Sequence, residues 1–245
     1  PGLDPLFEKA GELGLPIAIH IGDPQAFWQD PGPTNERYEE LKAHPEWSFY
    51  AEHKAGALPS WQALFDAFAR RVARHKKTTF IGVHFGNAPE DPDLVARLLD
   101  QHPNLLIDTA ARVPAIGRTD EKHSAAKLRA FFIKYQDRIL FGTDTGIGRS
   151  EKALMFGSTG TEPPTDADAE RFFTSMWRYF ETADTDIPSP TPIQGRWELS
   201  GINLPREVLE KIYAKNAQRL LGIELSTKPL PPLELRTHPG PLEEL

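Results

Sequence analysis

Three apolar runs in this chain each end in a group able to bind a metal or move a proton. They are Ile17-Ala-Ile-His20, Thr79-Phe-Ile-Gly-Val-His84 and Arg138-Ile-Leu-Phe-Gly-Thr-Asp144. A short run that is apolar and then abruptly polar reads as a buried strand whose last residue emerges beside a loop. A fourth run, Asn104-Leu-Leu-Ile-Asp108, has the same form. Amphipathic segments separate the runs. Trp61, Leu64, Phe65, Phe68 and Val72 recur at helical spacing, and further helices are predicted near 91–101, 124–135, 168–181 and 205–221. Ahead of the first strand, residues 4–14 read as a helix with Asp4 as N-cap, Pro5 in the first position and Gly14 as the stop. Strand and helix therefore alternate, which predicts parallel strands covered by helices.

In α/β barrels the active site is assembled at the C-terminal ends of the strands, where these polar residues fall. Each has an ordinary structural reading as well. A lone histidine at a strand end is often only packed or hydrogen-bonded, and Asp144, in Thr143-Asp-Thr-Gly146, can be a turn carboxylate. Asp108 has the same alternative, since Thr109 and Ala110 can extend its strand. Recurrence sets the functional reading apart: successive units deliver a polar group to the same edge. Two imidazoles and a carboxylate are suitable donors for a divalent ion with an activated water.

Two long insertions follow strands and so fall on the same face. Residues 21–60 are rich in proline and aromatics, including Phe27, Trp28, Trp47 and Phe49, and predict a packed lid. It can stack on a substrate ring or simply cap the mouth. Residues 145–168 are rich in Gly, Thr, Pro and acids. Arg112, just past Asp108 at the end of the fourth run, can grip a substrate carboxylate, or sit in solvent in an ion pair. Trp28 and Asn87 are candidates for substrate contact, with Asp23 and Arg149 behind them.

Composition narrows the function. A formal charge of −7, from 28 basic and 35 acidic residues, with no long basic run, argues against nucleic-acid and anionic-membrane binding. Cysteine is absent, which excludes disulfides and thiolate metal sites. No apolar stretch approaches the roughly 20 residues needed to span a bilayer. The expected partner is a small-molecule substrate, the expected compartment the cytoplasm, and association into a homo-oligomer stays open. Pro1 fits either removal of an initiator Met or a piece of a longer chain, in which case an upstream signal would not be seen.

The motifs Ile-His-Ile-Gly-Asp-Pro, Val-His-Phe-Gly-Asn and Phe-Gly-Thr-Asp, in that order, with the closing Tyr213-Ala-Lys-Asn-Ala-Gln-Arg-Leu-Leu221 segment, resemble the C-terminal part of the amidohydrolase-2 family. Its members are metal-dependent (β/α)₈ TIM-barrel hydrolases and decarboxylases. The resemblance implies strands five to eight of such a barrel over residues 1–222, followed by a Pro-rich irregular tail over 223–245. It implies His20 as a metal ligand, His84 as a ligand or proton-transfer base, and Asp144 on the metal and its water. The implied cofactor is a divalent metal, Zn²⁺ first among them. The family's first strand carries a His-x-His pair, and this chain has none. The expectation is a piece lacking the N-terminal half and inactive alone; the alternative is a variant with a decayed site. For the complete enzyme the readings are hydrolysis of a small ester, lactone or amide, decarboxylation of an aromatic or unsaturated acid, or binding without catalysis.

Overall fold

The computed structural model describes residues 2–22, 24–147, 154–156 and 164–224. Asp23, Arg149 and, from residue 225 on, the Pro-rich tail lie outside the described residues. Four strands form a parallel sheet in sequence order: β1 (Ile17–Ile19), β2 (Phe80–Gly82), β3 (Leu105–Asp108) and β4 (Ile139–Leu140). Each strand thus lies beside its successor, and each connection carries a helix. All four are shorter than the apolar runs suggested. After Gly82 the chain leaves extended geometry at once, and after Leu140 it departs likewise, with Phe141 N–H donating to Ile212 O at 3.0 Å instead of to a strand.

The longer helices are Asp4–Leu13, Trp61–Arg74, Pro92–Gln101, Ala125–Lys134 and Asp166–Glu181, followed by a composite one over 206–221. The composite is interrupted by a π turn, Lys211–Lys215, from which Ile212 accepts the Phe141 bond. Caps fix several starts. Ser60 accepts from Ala63 N–H at 3.1 Å, Asp91 from Leu94 N–H at 2.9 Å, and Thr165 with Asp168 forms a reciprocal capping box. Asp4 does not cap: Leu3 holds that position, and the Asp4 carboxylate instead meets Arg71, Arg74 and His75. On the composite helix Val208 and Ile212 are buried, whereas Leu221 at its end is 57% exposed.

The two faces of the sheet differ. Phe80, Leu105, Ile107 and Ile139 are completely buried beneath the helices, with Phe85, Val95, Leu128 and Phe132. Each such side chain contributes about 1.5–3 kcal/mol of apolar burial. On the other face Ala18 is exposed and Ile81, Leu106 and Leu140 are half-buried. A second, antiparallel pair, β5 (Thr145–Ile147) with β6 (Leu154–Phe156), rises directly beyond β4 and was not foreseen in the insertion after Asp144.

The segment between β1 and Trp61–Arg74 is a packed lid, as its aromatic content predicts. It contains short helical turns, Gln25–Trp28, Tyr38–Ala43, Pro45–Trp47 and Tyr50–Lys54. Asn35 holds it internally, its amide donating to Ala26 O (2.8 Å) and Asp30 O (3.0 Å). Arg37 and Glu40 form a buried ion pair at 3.0 Å beneath it.

Candidate active site

A cavity of about 460 Å³ opens at the C-terminal ends of the strands. His20, His84, Arg112 and Asp144 line it from the sheet side, each just beyond the end of a different strand. Phe27, Trp47 and Phe49 form an aromatic wall from the lid, joined by Glu40 and Glu46; Gln194 contributes from the segment after Asp166–Glu181. Four of the six predicted site residues therefore share one space.

The backbone explains how they arrive there. His84 (φ 54°), Phe85 (59°), Gly86 (68°) and Asn87 (63°) are four consecutive left-handed residues. L-residues visit this region singly, at a cost of roughly 1–2 kcal/mol each, so a full turn of this hand is uncommon. Here it reverses the chain within one turn of the strand end, with Asn87 N–H donating to Val83 O at 2.8 Å. Gly82 permits the reversal, because a Cβ there would stand 2.9 Å from the Gly86 Cα. Ala111 (φ 53°) and Asp144 (φ 59°), both lining the cavity, are left-handed too.

The imidazoles of His20 and His84 meet edge to face, ring centroids 5.0 Å apart at 89°. His84 Nδ1 lies 2.9 Å from Ala110 O. A carbonyl only accepts, so Nδ1 carries the proton, and whenever the ring is neutral its lone pair is on Nε2. Arg112 is only 6% exposed, and its Nη1 donates to Ala111 O at 3.1 Å. The solvent-facing reading of this arginine is thereby corrected: the residue is buried and lines the cavity.

Two predicted contact residues lie elsewhere. Asn87 is completely buried and is committed to backbone, its Oδ1 accepting from Ile21 N–H and its amide donating to Ile19 O, both at 3.1 Å. It brackets His20 from behind and does not line the cavity. Trp28 stands behind Phe49 (centroids 4.8 Å), its indole N–H donating to Gly22 O at 2.8 Å, and supports the aromatic wall. Glu40 and Gln194 went unnoticed in the sequence. Neither follows a strand or carries a motif, and they reach the cavity only through folding of the lid and the 182–205 segment.

A metal is the natural question for such donors. They suit a divalent ion in kind, but among the described residues no three His, Asp or Glu side chains come close enough to hold one. Sharing a cavity is not convergence, and these residues alone do not make a metal site.

Fold and site together define an α/β protein that gathers its polar chemistry at the C-terminal edge of a parallel sheet, under an aromatic lid. The chain belongs to the amidohydrolase-2 family, whose profile, described as amidohydrolase, matches residues 1–223. That is a family of enzymes, hydrolases and lyases that generally use divalent metals. Among solved structures the chain is similar to an uncharacterized TIM-barrel protein from Bordetella bronchiseptica, at 16% identity and a TM-score of 0.41. The match covers 90% of this chain and 50% of that one, so the chain spans about half the length of its structural neighbour. A comparison with curated proteins finds no match.

Proposed function

We propose that this chain is the strand-five-to-eight half of a metal-dependent (β/α)₈ hydrolase acting on a small ester, lactone or amide. The observation that carries this reading is the delivery of His20, His84, Arg112 and Asp144 to one cavity from the ends of four successive parallel strands. The half-covered second face of the sheet supports the half-barrel part, since parallel sheets normally bury both faces. On this reading His20 and Asp144 are part of a metal site whose other ligands come from strands beyond β1. Zn²⁺ is the proposed ion because imidazole and carboxylate donors suit it.

His84 is the proposed proton-transfer base. With Nδ1–H fixed on Ala110 O, its Nε2 lone pair can take a proton from a water or hydroxyl in the cavity. Asp144 is a second acceptor on the same wall. Arg112 binds a substrate carboxylate or polarises a carbonyl oxygen, and Phe27, Trp47 and Phe49 exclude water behind it. The lyase reading has one observation in its favour, this same Arg112, because a buried guanidinium on the cavity suits a substrate that carries a carboxylate.

The test begins with the reading frame around the Pro1 codon. The product of the whole frame is expressed and incubated with lactones, esters and hydroxybenzoates. Acid release without CO₂ supports the hydrolase; CO₂ release moves the lyase reading ahead. A frame that encodes no His-x-His, with a product that retains no metal, overturns both. In an active product His84→Asn should lower the rate about 10²–10⁴-fold. Residues 1–245 alone should retain far less than one equivalent of Zn²⁺ after dialysis.

A further inference from the structure

In the sequence Asp108 is one of the recurring strand-end polar groups, with a turn carboxylate as its ordinary alternative. In the structure a single oxygen of it, Oδ1, accepts two backbone N–H groups from different segments: His84 N–H at 2.8 Å and Ala110 N–H at 3.1 Å. The first is the entry to the left-handed turn after β2, and the second lies in the departure from β3. The same two residues are joined again by the His84 Nδ1–H to Ala110 O bond. Asp108 Oδ1 is thus the hub of a small ring of hydrogen bonds that includes the imidazole.

We infer that Asp108 is a positioning residue that fixes the tautomer and aim of His84. Its carboxylate draws the His84 and Ala110 backbones together, and that approach puts Ala110 O within reach of Nδ1. In water a neutral imidazole favours its proton on Nε2, which would remove the lone pair from the end of the ring. Holding Nδ1–H against a carbonyl selects the other form. An ionised acceptor is suited to this task, since bonds to a charged oxygen are stronger than neutral ones. It also offsets the backbone strain at His84 and Phe85, whose φ values of 54° and 59° are unfavourable for side chains of their size. The inference concerns the state of the ring and holds whichever reaction the site performs.

Asp108→Asn and Asp108→Ala separate this role from a general structural one. The amide oxygen of Asn can still accept both N–H groups; Ala accepts neither. The readout is a long-range ¹H–¹⁵N correlation of the histidine rings in ¹⁵N-histidine-labelled protein under mildly alkaline conditions. The His84 signal is assigned by its disappearance in His84→Gln. The expected result is an Nδ1–H ring in the wild type and in D108N, and loss of that form in D108A with the rest of the spectrum dispersed as before. An Nε2–H ring in the wild type, loss of Nδ1–H in D108N, or its persistence in D108A overturns the assignment. Should D108A fail to fold, the wild-type and D108N spectra decide. Because none of these spectra requires turnover or metal, the hydrolase reading can fail while this one stands, and the reverse.

Discussion

The two ends of the same four strands are built on opposite principles. At the C-terminal end the chain turns left-handed at His84–Asn87, Ala111 and Asp144, and His20, His84, Arg112 and Asp144 line a cavity. At the N-terminal end the polar groups face one another. Asn104 donates to the carbonyls of Val72 (3.2 Å), His75 (3.2 Å) and Thr78 (3.0 Å), tying a helix end to two strands. Asp4 ties the first helix to Arg71, Arg74 and His75, and Thr78 Oγ1 donates to Phe7 O at 2.7 Å. One end holds strain and leaves chemistry available; the other spends its polar atoms on closure. On the proposed reading this division is the one known from α/β barrels, in which catalysis gathers at one rim and stability at the other.

Substitutions can break or sharpen that contrast. The largest effect is expected at Gly86, where a Cβ would add left-handed strain and come 3.1 Å from Val95 Cγ1 and 3.2 Å from Ile107 Cγ2. Gly86→Ala should cost about 2–4 kcal/mol in urea unfolding. Next comes Asn104→Ala, expected to cost about 1–2 kcal/mol as three carbonyls lose their shared donor. Its effect should fall on stability alone and leave the His84 ring signal unchanged. Ala111→Gly should act in the opposite direction, stabilising by about 0.5–1 kcal/mol, because glycine accepts φ 53° without strain. A loss of stability there would remove the strain from the argument.

The smallest effect is a pH dependence at the closed end. Burial, followed by the charge of Arg71, holds the His75 pKa below its ordinary value. The unfolded chain then takes up the proton first, so the contribution of neutral His75 is present above about pH 6.5 and is lost as pH falls below it. Unfolding midpoints measured across that range should slope less in His75→Gln than in the wild type.

Much of the fold was legible because its signals are local. Apolar runs gave the four strands, and helical spacing gave Trp61–Arg74, Pro92–Gln101 and Ala125–Lys134 to within a residue or two. Gly14 stops the first helix as expected, in left-handed geometry. The strand lengths were overestimated because Val83 and Phe141 are as apolar as strand residues, and nothing in their side chains announces that the strand has already ended. Asp4 misled for a related reason. It stands where a cap should, and only the distant Arg71, Arg74 and His75 explain its actual place. At the site, residues following strands could be found by topology, whereas Asn87 was given a substrate contact because it lies in the motif. Its commitment to Ile19 and Ile21 across 68 and 66 residues of sequence is invisible without the fold. Among the described residues no helix is long and apolar enough to cross a membrane.

The left-handed turn after β2 also limits how this site can change. At positions 84, 85, 87 and 111 the backbone has the hand that a D-amino acid prefers, so any L-replacement is judged first on shape and only then on its functional group. β-Branched residues are effectively barred, whatever chemistry they would bring. Divergence of the pocket is therefore channelled into the lid and the 182–205 segment, where Glu40, Trp47 and Gln194 stand on conventional backbone. A mirror-image test is available through semisynthesis: D-Ala at position 111 keeps the methyl group and should relieve the strain that L-Ala carries there.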